Sequence, residues 1–164
     1  GFVAVADVTS LVTGPGTYGA GDVQTRVGVG GYGGWSLIVV TDDATQPRRM
    51  HLVTLPAERL NGTAHTLDVP LAEAMVDAPV NAGLVMFDWD RGEDGVTLEL
   101  NGSAATLDAG STIAGTRTPA DTNTFGIDVD NTSAVVSGAS LQAVVDANSA
   151  FAQLAAVMLS VELT

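Results

Sequence analysis

Short apolar runs, separated by glycine-rich and polar stretches, make up most of this chain. In the segment 96–100 (Val-Thr-Leu-Glu-Leu) apolar and polar side chains alternate, so they lie on opposite faces of a strand. The segment 35–40 (Trp-Ser-Leu-Ile-Val-Val) is more continuously apolar and is typical of a central strand covered on both faces. Runs rich in Val, Leu, Ile and Thr predict strands at 2–8, 22–27, 35–41, 49–55, 64–71, 82–88, 96–100 and 124–129.

Turn chemistry and strand spacing together indicate the fold class. Asn61-Gly62 and Asn101-Gly102 are dipeptides that favour tight turns, because both residue types tolerate positive φ. Glycine and small polar residues recur at short intervals between the apolar runs. The sequence therefore predicts a single all-β domain over residues 1–164, an antiparallel β-sandwich of jelly-roll-like form.

The segment 139–159 fits two structures. Its alanines, leucines and glutamines have high helix propensity, which favours a short amphipathic helix within 139–155. The alternative is a final hairpin with strands at 140–146 and 153–164 and a turn at 147–149. Alternation at the end of the chain favours a strand there. The sequence leaves both structures open.

The charge balance excludes several classes of function. Nineteen acidic residues oppose six basic ones, all of them arginine, which leaves a formal charge of −13. Proteins that grip nucleic acid or an anionic membrane surface need clustered basic residues, so we expect no nucleic-acid partner. Lysine and cysteine are absent from the sequence, which excludes a Schiff base, a Lys–Asn isopeptide crosslink, a disulfide and a thiolate metal site. No run of about 18 apolar residues occurs, so we expect no membrane insertion.

Several segments, taken in order, carry a resemblance to a known family. They are 6–9 (Ala-Asp-Val-Thr), 16–25, 32–40, 90–102 and 123–130. The most specific of them is the glycine–tryptophan–aliphatic stretch at 33–40. Together they resemble the β-sandwich module found towards the N-terminus of large, repetitive bacterial cell-surface proteins, many of them adhesin-like. The resemblance implies a secreted, extracellular protein at the cell surface, structural or adhesive work beside neighbouring domains or subunits, and no established catalytic residues.

The chain departs from the family pattern in two places. The turn at 41–47 is looser than the acidic-proline turn of the family. The family module also carries further strands before the segment 6–9, where this chain almost begins. We therefore expect either a shortened module or a fragment of a larger surface protein, whose sheet another segment completes. An unpaired sheet edge would otherwise invite association.

The densest group of carboxylates lies at 88–95 (Asp-Trp-Asp-Arg-Gly-Glu-Asp-Gly). Calcium binds several carboxylate and carbonyl oxygens from one compact loop, so this segment predicts a calcium site. The candidate ligands are Asp88, Asp90, Glu93 and Asp94. An EF-hand is rejected, because Glu93 stands where that loop needs glycine and no helix is predicted on either side. The competing interpretation is a solvated turn in which Arg91 pairs with neighbouring carboxylates.

Four other residues carry less specific chemistry. Asp128 and Asp130 share a face if their segment is a strand, so both could meet one cation or lie in water. Trp89 lies among acidic residues and is a candidate ligand-binding residue that stacks on a sugar, although covering one end of the core is the alternative. Trp35 is expected in the core, because its strand is strongly apolar.

Two histidines and a glycine-rich segment are expected to be structural. His51 and His65 lie on separate predicted strands, which favours a structural role for each. The segment 28–34 contains five glycines but precedes an apolar strand rather than a helix, and no lysine follows. It therefore lacks the features of a phosphate-binding loop.

These observations favour a non-catalytic, extracellular structural or adhesive module of a bacterial cell-surface protein, stabilised by calcium. One alternative is a carbohydrate-binding module that uses Trp89 and the acidic loop to bind a glycan or another host-surface ligand. Another is a subunit of a surface filament assembled by strand pairing. An enzyme is the least favoured class, because no catalytic motif occurs.

Overall fold

The computed structural model describes residues 3–24, 34–87, 96–105, 127–147 and 151–163. Within these ranges one antiparallel sheet contains β1 (Arg49–Thr54), β2 (Glu58–Asn61), β3 (Ala64–Phe87), β4 (Thr97–Leu100), β5 (Ser103–Ala104), β6 (Ile127–Asp146) and β7 (Phe151–Glu162). The strand order is β1-β7-β3-β6-β4-β5, and β2 also pairs with β7. The predicted all-β, antiparallel fold class is confirmed. The described residues form no helix, and therefore none that could cross a membrane.

The two longest strands, β3 and β6, form a ribbon. Their register extends from Ala64 opposite Asp146 to Phe87 opposite Ile127. The 24 residues of β3 would measure about 79 Å in a straight strand, at about 3.3 Å per residue. The strands predicted separately at 64–71 and 82–88 are thus parts of one strand. Irregular pairing between Pro70 and Ala78 divides the ribbon into two halves.

The connection from β6 to β7 requires the ribbon to fold back on itself. β6 ends at Asp146, which pairs with Ala64 at the start of β3. β7 begins at Phe151, two residues before Gln153, which pairs with Phe87 at the end of β3. The five peptide units from 146 to 151 span at most about 18 Å. Both ends of β3 therefore lie in the same region of the molecule.

One apolar core joins the two halves of the ribbon. Every second residue of β3 from 80 to 86 is buried in it, and so is every second residue of β6 from 141 to 145. Residues of β2, β4 and β7 complete it. The largest fully buried side chains include Leu60, Leu84, Met86, Leu98, Leu100, Leu141 and Leu154. Two sheet halves that share one core are consistent with a β-sandwich.

Unusual backbone conformations occur at the irregular pairing between Pro70 and Ala78, which we call the bend of the ribbon. Asp77 has a φ of 48° and Gly138 a φ of 143°, both close to the register shifts. Glycine adopts such a φ readily, whereas Asp77 is strained and needs support. The backbone N–H of Asp77 donates to Ser137 Oγ at 2.8 Å, and that hydroxyl donates to Asp77 Oδ1 at 3.2 Å. These bonds tie the two strands together at the bend.

The turn between β4 and β5 fastens the same bend. The side-chain amide of Asn101 donates to the backbone carbonyls of Ser137 and Ser140, each at 3.2 Å. Its Oδ1 accepts a hydrogen bond from the backbone N–H of Gln142 at 2.7 Å. One side chain therefore satisfies three backbone groups of β6, on both sides of Gly138. The predicted tight turn at Asn101-Gly102 is confirmed, with a positive φ at both residues.

The helix considered within 139–155 is wrong. β6 continues to Asp146 and β7 begins at Phe151. Burial at every second residue from Leu141 to Val145 shows a strand period, so packing into the core overrides helix propensity. The two strands of the alternative structure exist, but they do not form a hairpin. β6 and β7 flank β3 on its two opposite edges.

The strands predicted at 2–8, 22–27 and 35–41 are also wrong in their described parts, because residues 3–24 and 34–48 form no strand. Ile38 packs on the outer face of the sheet, against the cluster that contains Val85 and Ala156. Around this cluster β3 is paired on both edges, and β7 pairs with β3 on one edge and with β1 and β2 on the other, so the sheet offers no edge of strand length to a further strand. Trp35 is 43% exposed and is not a core residue.

Candidate functional site

The site residues predicted in the acidic loop lie outside the described residues. They are the candidate calcium ligands Asp88, Asp90, Glu93 and Asp94 and the candidate ligand-binding residue Trp89. Asp128 and Asp130 are on β6, opposite Met86 and Leu84, but their side chains are not among those described. Among the described residues, no group of three or more His, Cys, Asp or Glu could hold a metal ion. Calcium binding by the loop therefore stays a prediction.

Four adjacent strands present an ordered set of side chains on the outer face of the sheet, away from the core. Residues directly opposite each other in antiparallel strands point to the same face, with Cβ atoms about 5 Å apart. His51 of β1 lies opposite Ser160 of β7. Asn81 of β3 lies opposite both Ser160 and Ser133 of β6. We call these four residues the polar row, which crosses four strands over about 14 Å.

A second row lies two residues further along the strands. Met158 of β7 lies opposite both Val53 of β1 and Gly83 of β3, and Gly83 lies opposite Asn131 of β6. A Cβ atom on Gly83 would lie 2.7 Å from Met158 Cε and 3.0 Å from Asn131 Oδ1. A side chain at position 83 would therefore have to displace the ends of both neighbouring side chains, which occupy the space above Gly83.

Beyond the second row the outer face becomes apolar. Val85 is buried and forms a small cluster with Ala155 and Ala156. Ile38 and Val3, from the N-terminal segments, pack against that cluster. The outer face thus changes from polar to apolar over four residues along β3, from Asn81 to Val85, and over four along β7, from Ser160 to Ala156.

A groove of about 460 Å³ lies over the first two rows, and the segment 38–40 forms part of its lining. This volume is within the range of small-molecule sites, about 300–1,000 Å³. Its polar side chains include those of His51, Asn81, Asn131, Ser133 and Ser160. Within the described part of the chain, these five side chains make no hydrogen bond to another protein group. No described residue therefore competes with a ligand for their donors and acceptors.

The groove carries little charge. Its described lining residues include no aspartate, glutamate or arginine, and His51 is the one imidazole among them. One row further towards the bend, Arg49 and Glu162 form an ion pair at 3.0 Å and offset each other. On a chain of net charge −13, the groove is a locally neutral surface.

Four ionisable groups outside the groove serve local structure. His65 Nδ1 lies 2.5 Å from Glu58 Oε2 and links β3 to β2, as expected of a structural histidine. Hydrogen bonds from the hydroxyl and then the backbone N–H of Thr45 hold the pKa of the Asp43 carboxyl below its usual value. Thr9 lowers the pKa of Asp7 in the same way. Both carboxyl groups are fully exposed, so they stabilise turns rather than build a site.

The residues of the groove were not identified from the sequence, and His51 was expected to be structural. Alternation along 80–84 does separate the inward Val80, Ala82 and Leu84 from the outward Asn81 and Gly83. The partners across the strands depend on the register, however, which the sequence does not reveal.

Comparisons with protein-family models, with curated proteins and with solved structures found no significant match. The resemblance to a surface-protein module therefore stays an expectation.

Proposed function

We propose that this chain is a non-catalytic, extracellular module of a bacterial cell-surface protein, with structural and adhesive work. The observation that carries the proposal is the polar row, whose amide, hydroxyl and imidazole groups face outward with no hydrogen-bond partner among the described residues. A surface of this kind is suited to holding a ligand.

The sheet beneath the row supports an adhesive function, because it holds the binding groups in place. β7 and β3 lie in the interior of the sheet, and their backbone groups are used in ladders on both sides. Their inward side chains are locked in the core. A site built on such strands loses little conformational entropy on binding, which favours affinity.

The side-chain chemistry of the groove supports binding rather than catalysis. Serine and asparagine do not titrate near neutral pH, and a catalytic serine needs an adjacent base. His51 lies at one end of the row, opposite Ser160, but these two side chains form no hydrogen bond with each other, and Asn81 and Ser133 lie beyond Ser160. The described lining offers no second acid or base to work with His51.

Adhesion of protein-coated particles to bacterial and host-cell surfaces tests the proposal. Particles carrying the chain should adhere, and the double variant Asn81→Ala/Ser133→Ala should abolish adhesion. Thr66→Ala is the matched control, because Thr66 is an exposed residue of the same strand β3 outside the groove. Adhesion that is absent from the unaltered chain, or equal in the double variant, would overturn the proposal.

Strand pairing between copies is a second candidate function, favoured by one observation. β1 is the outermost strand on its side of the described sheet, so one of its edges has no partner there. Such an edge can pair with another chain. Light scattering should then detect concentration-dependent assembly, which Val53→Lys should suppress, because lysine on an edge strand opposes pairing. A monomer at every concentration would reject this function.

A further inference from the structure

The groove also indicates the chemical class of its ligand, an inference that rests on the adhesive function proposed above. We propose that it binds an uncharged carbohydrate of one or two sugar rings. The contacts come from the polar row, which meets the hydroxyl groups of the sugar, and from Asn131 and the apolar side chains beside it.

The hydrogen-bonding groups of the row match those of a sugar. Each sugar hydroxyl is both a donor and an acceptor. The amide of Asn81 offers two donors and an acceptor, and the hydroxyls of Ser133 and Ser160 each offer one donor and two lone pairs. Such groups can pair with neighbouring hydroxyls in either orientation. Because they have no protein partner among the described residues, binding breaks no hydrogen bond between residues that the structure describes.

The second row supplies the apolar surface that a sugar ring also needs. A sugar ring has C–H groups on its faces and hydroxyls around its edge. Val53 and Met158 lie next to the polar row, and residues 38–40 (Ile-Val-Val) line the same groove. A ring whose edge meets the polar row would therefore place a face against apolar side chains.

Two other ligand classes fit the groove less well. An anion would find no arginine in the described lining and would approach a chain of net charge −13, while a cation would find no carboxylate there. A peptide that binds as an added strand needs a free backbone edge. The groove lies mainly over β7 and β3, which pair with neighbours on both sides, and the unpaired edge of β1 faces away from β7, so a strand added there would lie beside the two rows rather than over them.

Nuclear magnetic resonance titration of the full chain tests the inference. The probes are glucose, galactose, mannose and N-acetylglucosamine, with glucuronate as the charged comparator. A shallow, open site predicts a dissociation constant of about 1 mM, so each sugar is added to about 50 mM. At least one neutral sugar should shift the side-chain amide signals of Asn81 and Asn131 saturably, and glucuronate should bind more weakly than glucose.

Two variants link binding to the groove. Asn81→Ala/Ser133→Ala removes two hydrogen-bonding groups and should weaken sugar binding more than about tenfold. Gly83→Ala should also weaken sugar binding, because the new Cβ displaces the side-chain ends of Met158 and Asn131. The atoms nearest to that Cβ belong to these side chains and not to the backbone. Thr66→Ala should bind like the unaltered chain. Retained dispersion of the backbone amide signals and an unchanged melting temperature would show that each variant is folded.

The results separate this inference from the adhesive function. If no neutral sugar shifts these signals, if the double variant binds equally well, or if glucuronate binds best, the carbohydrate assignment is wrong. Particle adhesion that still depends on Asn81 and Ser133 would then leave the adhesive function standing with a different ligand. If neither sugar binding nor particle adhesion depends on Asn81 and Ser133, the carbohydrate assignment and the adhesive function are both rejected.

Discussion

Asn101 should be the most sensitive polar position in the described fold. Its side chain holds three backbone groups of β6 at the bend, the carbonyls of Ser137 and Ser140 and the N–H of Gln142. Its backbone also has a φ of 49°, which asparagine tolerates better than alanine. Asn101→Ala removes the three hydrogen bonds and adds backbone strain.

The expected loss of stability follows from these two effects. A neutral hydrogen bond contributes about 1 kcal/mol net, and water partly replaces those near the surface, so three bonds contribute about 2 kcal/mol. Alanine at this φ costs about 1 kcal/mol more. The free energy of unfolding should fall by about 3 kcal/mol. In a domain of this size that lowers the melting temperature by about 6 to 12 °C.

Two further variants separate the hydrogen bonds from the strain. Asn101→Gly loses only the bonds and should cost about 2 kcal/mol. Gly102→Ala adds only strain, because its φ is 75° and a Cβ there meets no atom within 4 Å, so it should cost about 1 kcal/mol. Chemical denaturation followed by circular dichroism measures all three. If Asn101→Gly unfolds within about 0.5 kcal/mol of the unaltered chain, the side chain does not fasten the bend.

Three other measurements test separate parts of the argument. Leu98→Ala, in the core shared by both halves of the ribbon, should lower the free energy of unfolding by about 3 kcal/mol, whereas Leu11→Ala, 71% exposed, should change it by less than about 0.5 kcal/mol. Equal losses would contradict the proposed core. Calcium should raise the melting temperature and a chelator should lower it if the acidic loop at 88–94 binds the ion, and an unchanged midpoint would reject that site. Thr45→Val should raise the pKa of Asp43, measured by proton titration, because it removes the hydroxyl donor. Since the folded pKa is depressed, the turn should be intact above the ordinary carboxyl pKa and loosen as pH falls through the lowered value.

Strands were predictable from the sequence where one face is buried and the other is exposed to solvent. The segment 96–100 alternates because Leu98 and Leu100 enter the core while Glu99 stays outside, and β4 occupies nearly the same residues. The bend of the ribbon was not predictable. It depends on an irregular register at 70–78 and on contacts between Asn101 and residues about 40 positions away, neither of which a local pattern shows.

The segment 35–41 shows the opposite error. Its composition is that of a strand, but strand formation also needs an open edge, and Ile38 instead packs on a face whose strands are fully paired. The groove was missed for a related reason. Serine and asparagine at 81, 131, 133 and 160 are unremarkable in the sequence, and only the register across three strands brings them into one surface.

The bend and the groove lie in different parts of the same ribbon, so a substitution can loosen one and leave the other intact. Asn101 acts near Gly138, whereas the polar row is held by the pairing of β1, β7, β3 and β6 around Asn81. Loosening the bend lowers the free energy of unfolding, but it removes no contact of the row. Asn101→Gly should therefore keep its sugar affinity at temperatures well below its melting point. A parallel loss of affinity would show that the row is not preformed and depends on how tightly the ribbon is folded.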